Sequence, residues 1–122
     1  MDGEFNLAYC NGVFHHIKPE QRAKALQRIF DSLLPAGYFA LWENNPLNPG
    51  TRFIMAKCPF DRDAAAIWPR QATKMLKTTG FRIEAVLSRF FFPRLLAFLR
   101  PLEPWLSPSL LGGQYLVLAR KP

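Results

Sequence analysis

Two short stretches of the chain hold the residue types that could take a proton from a substrate. Asn11-Gly12 leads into His15-His16, and Glu43 leads into Asn44-Asn45, with Arg52 following after a loop. An imidazole or a carboxylate beside a reacting oxygen or nitrogen acts as a general base, which makes His15, His16 and Glu43 the candidates for that role. Asn44 and Asn45 offer hydrogen bonds to a substrate, and Arg52 offers an ion pair to an anionic one. Each also has a plain structural reading: a packed or turn-bonded histidine, a solvated loop charge, a surface arginine. Adjacent histidines diverge on a helical turn, so the pair is not expected to hold one metal ion. Cys10 and Cys58 form no C-x-x-C pair and no zinc spacing with the histidines, and Asp61 and Asp63 lack the rest of a calcium loop. No metal site is expected. A G-x-S-x-G elbow, a P-loop and an H-E-x-x-H helix are all absent, so hydrolase, nucleotide-phosphate and zinc-protease chemistry find no support.

The elements that must position these residues are legible in the apolar pattern. Residues 5–10, FNLAYC, are apolar at nearly every position, which predicts a strand covered on both faces, as in parallel sheets. Pro19 opens a helix over 19–34, with Ala23, Leu26, Ile29, Phe30, Leu33 and Leu34 inward and Arg22, Lys24 and Arg28 outward. Pro35-Ala36-Gly37 ends it and turns the chain into a second interior strand over 38–42. If the two strands are parallel neighbours, a right-handed crossover brings residues 11–16 and 43–45 to one rim, where ligands of open parallel sheets gather. Residues 45–52 read as loop, and 53–63 are ambiguous. A helix from Pro69, with Ala72, Met75, Leu76 and Thr79 inward, stops at Gly80. The strand over 81–91 alternates at its start and belongs nearer an edge; the strand over 115–119 is apolar throughout and belongs inside.

FNLAYCNGVFHHI, a helix, and then LLPAGYFALWENN resemble the middle of class I S-adenosylmethionine-dependent methyltransferases, and the helix closing in TTGF, a strand, a proline-rich excursion and QYLVLARKP carry the resemblance to residue 122. It implies an α/β, Rossmann-like half-domain over residues 1–122, equivalent to the family's fourth through last strands. About four strands would form a mixed sheet in a three-layer α/β/α arrangement, with the last strand antiparallel and inserted between its two predecessors. The implied activity is methyl transfer from S-adenosylmethionine to a small-molecule acceptor, a sugar or a lipid-linked molecule among the options. Asn11 and Gly12 would border the methyl group, His16 would pack near the cofactor and His15 would point toward the acceptor, or the reverse. The family's Gly-rich loop and its acidic residues for the nucleoside have no counterparts here, and no G-x-G-x-x-G occurs. The expectation is therefore a truncated domain, inactive alone, that binds the cofactor weakly or not at all.

A chain of 122 residues can bury a real core, and its net charge of +7 is uneven. Residues 1–50 carry four basic and five acidic side chains, and residues 51–122 carry twelve and four. The basic residues are scattered and no nucleic-acid motif is present, so no nucleic-acid partner is expected. No signal peptide and no uninterrupted apolar span of membrane length is read, which points to a cytoplasmic protein with reduced thiols. The apolar excursion over 90–113, cut by prolines 93, 101, 104 and 108, reads as a helical flap over the sheet or, through 90–106, as a peripheral membrane contact. Strand 5–10 would stand at a sheet margin with its outer edge unpaired, a place for a second copy or for an amino-terminal-half partner, in a noncatalytic subunit as well as in an enzyme.

Overall fold

The computed structural model describes residues 3–46, 67–89, 101 and 113–122. In chain order they form strand β1 (Phe5–Asn11), a 3₁₀ turn (Phe14–His16), helix α1 (Pro19–Ser32), strand β2 (Leu33–Asn44), helix α2 (Pro69–Thr79), strand β3 (Arg82–Arg89) and strand β4 (Gln114–Arg120). The sheet order is β1-β2-β4-β3. β1 runs parallel to β2, and β4 is antiparallel to both β2 and β3. The last strand is thus inserted inside the sheet, as its unbroken apolar run requires.

One face of the sheet is built from alternate residues: Phe39 and Leu41 of β2, and Tyr115, Val117 and Ala119 of β4, all buried. α1 and α2 cover this face with Leu26, Ala72 and Leu76. Phe81 meets the Phe30 ring edge-on at 5.0 Å, closing the core at the end of α2. Gly80, with φ 122°, ends that helix in a conformation that glycine adopts at little cost, and a side chain there would meet the Phe30 ring. Both helices lie on the same side, so the described part shows two of the three expected layers.

Three details depart from the sequence reading. The first helix ends at Ser32, and β2 begins at Leu33, ahead of the Pro35-Ala36-Gly37 turn, which is absorbed as a register shift in the pairing with β1. Arg22 does not face outward: it is almost fully buried, its Nε donating to the Ile17 carbonyl at 3.0 Å, whereas Ala23 is exposed. The inward stripe is Arg22, Ala25, Leu26, Ile29 and Phe30, because the turn before the helix leaves a carbonyl that a guanidinium can satisfy. β1 is not covered on both faces among the described residues. Ala8 and Cys10 pack against the core, while Phe5, Leu7 and Tyr9 on the other face are 43%, 60% and 61% exposed. Among the described residues β1 stands at the margin of the sheet, and the two helices lie on the opposite face from those side chains.

Lys121 ties the far end of the sheet to α1. Its backbone N–H donates to the Gly37 carbonyl and its carbonyl accepts from Ala36 N–H, both at 2.8 Å. Its Nζ donates to the Phe30 and Leu33 carbonyls at 2.9 and 2.8 Å and lies 4.7 Å from the Phe30 ring centre. The Phe30 carbonyl, which also accepts the Leu33 N–H, and the Leu33 carbonyl stand at the end of α1, where a cation is favoured. Lys121→Met is expected to lower the stability of the protein by about 1–3 kcal/mol. The measurement is the midpoint of urea unfolding at unchanged slope, and an unmoved midpoint would refute the capping role.

Candidate functional site

The rim at the carboxyl ends of β1 and β2 brings together what the sequence separates by about thirty residues. Gly12, at φ 68°, turns the chain out of β1, a left-handed conformation in which any other residue pays a steric penalty. Its N–H donates to the Trp42 carbonyl at 3.0 Å, so the turn stays attached to β2. The 3₁₀ turn then closes through His16 N–H to the Val13 carbonyl and Ile17 N–H to the Phe14 carbonyl, each at 3.0 Å.

Glu43 organises this turn from beneath. Its side chain is buried, with Oε1 accepting the Phe14 N–H at 2.8 Å and Oε2 lying 2.7 Å from His15 Nδ1. The contact is a hydrogen bond when the His15 tautomer carries its hydrogen on Nδ1 and the carboxylate accepts it. His15 is itself 4% exposed, and His16 is exposed, its ring stacked at 4.2 Å between centroids on that of His15. The three candidate bases therefore occupy different situations: a buried carboxylate with both oxygens engaged, a buried imidazole held by it, and an imidazole at the surface.

Around the same carboxylate stand Cys10 and Tyr115. Burial, and secondarily the Glu43 charge, push the Cys10 thiol up from 9.0 to about 12. The Tyr115 phenol is also raised, first by burial and then by Glu43, with Arg22 acting in the opposite direction; its hydroxyl donates to the Ile67 carbonyl at 2.7 Å. A group whose pKa is higher in the folded state favours folding fully below its unfolded pKa and loses that advantage as pH rises through the folded one. Stability is therefore expected to decline across the window from pH 9.0 to about 12, and Cys10→Ala to flatten the decline. Unfolding midpoints across that range test this, and an unchanged slope in the variant would contradict it.

The open face of the rim holds a row of amides. Gln114 Nε2 donates to Asn44 Oδ1 at 3.2 Å and to Asn11 Oδ1 at 3.4 Å, and Asn11 Nδ2 donates to Tyr9 Oη at 3.4 Å. Asn11 and Asn44 were expected at this rim; Gln114 was missed. Its signal was its place as the first residue of a strand antiparallel to β2, which puts it at the same end. Asn45 is buried, and its N–H donates to the Gly113 carbonyl at 2.9 Å, so it belongs to the strand junction. Arg52, Cys58, the ambiguous stretch 53–63 and nearly all of the apolar excursion lie outside the described residues. Among the described residues no group of three or more His, Cys, Asp or Glu is placed to hold a metal ion, and no helix is long and apolar enough to cross a membrane.

No family model matches the chain. Its architecture does match solved structures. A methyltransferase from Archaeoglobus fulgidus, dependent on S-adenosylmethionine, superposes with a TM-score of 0.73 at 16% identity, over 98% of this chain and 61% of that one. One from Thermotoga maritima, described as a possible histamine N-methyltransferase, gives 0.75 at 16% identity, over 99% and 57%. The fold is that of S-adenosylmethionine-dependent methyltransferases. In sequence, a chemotaxis protein methyltransferase of Vibrio parahaemolyticus is 33% identical over 57 residues, which is 46% of this chain and 21% of that protein. The chain spans about three fifths of these two methyltransferase structures, and its match covers about a fifth of the curated relative. The mixed sheet with its inserted antiparallel strand is the arrangement that the resemblance to class I methyltransferases implied.

Proposed function

We propose that the chain supplies the methyl-bordering and acceptor-facing part of an S-adenosylmethionine-dependent methyltransferase for a small-molecule acceptor, working in the cytoplasm, with His16 as the proton acceptor. The observation that carries this is the rim itself: in a methyltransferase fold, a buried Glu43 fixes the turn after β1 so that one histidine is held and the next is presented at the surface. The cofactor, when bound, supplies a methyl group on a positively charged sulfur. Asn11 and Gly12 would border the methyl group, and His16 would take the proton that an oxygen or nitrogen acceptor gives up on methylation. Glu43 and His15 act through position, since neither presents a surface to an acceptor.

The residues fit the methyl end of the cofactor and little else. Asn11 is exposed beside Gly12, where the backbone lacks a side chain and can be approached closely. The carboxylate at the end of β2 is already engaged with Phe14 and His15, so it is not available to a ribose. Binding by these 122 residues is therefore expected to be weak. Titrating S-adenosylhomocysteine into ¹⁵N-labelled protein should shift the backbone amides of Asn11, Gly12 and Val13, with saturation in the millimolar range. Shifts that avoid these amides, or none at all, would overturn the reading.

The exposed Phe5, Leu7 and Tyr9 on a marginal strand favour a second reading, in which β1 pairs with a partner: another copy, antiparallel, or a chain carrying the amino-terminal half. A strict monomer by light scattering at high concentration would count against self-pairing.

A further inference from the structure

We propose that the amide row Asn11–Gln114–Asn44, with Tyr9 at one end, is the acceptor-reading strip of this site, that Gln114 is its specificity-determining residue, and that the acceptor it fits is a neutral, polyhydroxylated molecule of the sugar class. The inference rests on the methyltransferase reading for the reaction, and on the row alone for the ligand.

Gln114 reaches from β4 past β2 to β1, joining residues that are 70 and 103 positions away in sequence. Its Nε2 lies between the two asparagine carbonyl oxygens and donates toward both, which links the three amides into one row. Outward from the row there remain the Gln114 Oε1 as acceptor, the Asn44 Nδ2 hydrogens as donors, the second Asn11 Nδ2 hydrogen and the Tyr9 hydroxyl hydrogen. Donors and an acceptor therefore stand side by side with no formal charge among them. A carboxylate or phosphate laid on this strip would face the Gln114 oxygen, and an ammonium would face the Asn44 amide hydrogens. A hydroxyl, which donates and accepts at once, satisfies both.

Two further features agree. The bonds within the row, at 3.2–3.4 Å, lie at or beyond the long end of the usual range, so exchanging one for a ligand hydroxyl costs little. Trp42, half-buried on the same face of the sheet, is the register partner of both Asn11 and Leu116, so an aromatic side chain of the kind that packs against the C–H face of a sugar ring borders the row. Asn11 belongs both to the row and to the Gly12 turn, so a hydroxyl held at that end lies nearest the methyl-bordering residues and His16.

The test uses the side-chain amide signals of Asn11, Asn44 and Gln114 in the labelled protein, titrated with methyl β-D-glucopyranoside as a neutral probe and with glucuronate as an anionic one. The expected result is saturable shifts of the Asn44 and Gln114 amides with the neutral probe, at least tenfold weaker binding of glucuronate, and about tenfold weaker binding of the neutral probe by Gln114→Glu. Asn44→Ala provides a second variant in which Gln114 keeps its contact with Asn11. Equal affinity for both probes, or neutral binding unchanged in both folded variants, would overturn the proposal, as would the absence of side-chain shifts. Failure of the methyltransferase reading shows elsewhere, as silent backbone amides at Asn11 and Gly12 with S-adenosylhomocysteine, so each can fail while the other stands.

Discussion

Glu43→Ala is expected to destabilise the protein by about 2–5 kcal/mol, since each buried donor left unsatisfied costs about 1–3 kcal/mol. The substitution strands two buried donors, the Phe14 N–H and the His15 Nδ1–H, in a place where both now end on one carboxylate at 2.8 and 2.7 Å. It also releases the turn that presents His16. Urea unfolding gives the size of the effect, and hydrogen exchange at the Phe14 amide shows whether the rim opens ahead of the rest. Glu43→Gln should fall between, because one carbonyl oxygen can serve one donor while the amide hydrogens face the other. A loss within about 0.5 kcal/mol for the alanine variant, the usual scale of surface changes, would mean that the pair does not hold the turn.

The second large effect is expected in rate. With the acceptor in hand, His16→Ala should reduce methyl transfer by about 10²–10⁴-fold, the contribution typical of a positioned general base. Its effect on stability should be small, since the ring is exposed and rests on that of His15. His15→Asn should show the opposite division, with a loss of stability because it disturbs the buried Glu43, and with a smaller loss of rate. An unchanged rate in His16→Ala would assign the proton to another group.

Much of the fold was readable because it rests on local signals. The unbroken apolar run of β4 marks an interior strand, Pro69 and Gly80 bracket α2, and the alternation after Phe81 marks a margin. The site was half readable. Asn11, Gly12, the histidine pair and Glu43 fall on the rim because two parallel strands end there, and that follows from the strand–helix–strand order. Their division of labour did not follow. Whether Glu43 faces solvent or the underside of the 3₁₀ turn depends on which face of β2 it occupies, and the alternating burial of Phe39, Leu41 and Glu43 settles it. Arg22 was misplaced because a helical wheel assigns a cation to water and does not see the Ile17 carbonyl waiting inside. Gln114 was overlooked for a related reason: its place at the start of an antiparallel strand put it at the rim, but its partners lie on two other strands, and that pairing shows only in the register. The exposure of Phe5, Leu7 and Tyr9 was misread because an apolar strand looks the same in sequence whether or not both its faces are covered.

The pairing of β4 with β2 has a consequence for how the rim comes into being. β1, α1 and β2 are neighbours along the chain and make one unit; β3 and β4 pair directly and make another. The seam between the units is β2 with β4, and its closure at the rim joins Asn44 to Gln114 across 70 residues. Closing a loop of that length carries an entropic cost that shorter pairings avoid, and contacts of long sequence separation slow folding. The two units can each gain structure early, while the surface that spans them waits for the docking step. Glu43 and its turn belong to the first unit, and the amide row exists only once the second has joined it, so the proton-handling part of the rim would be assembled before the part that reads the acceptor.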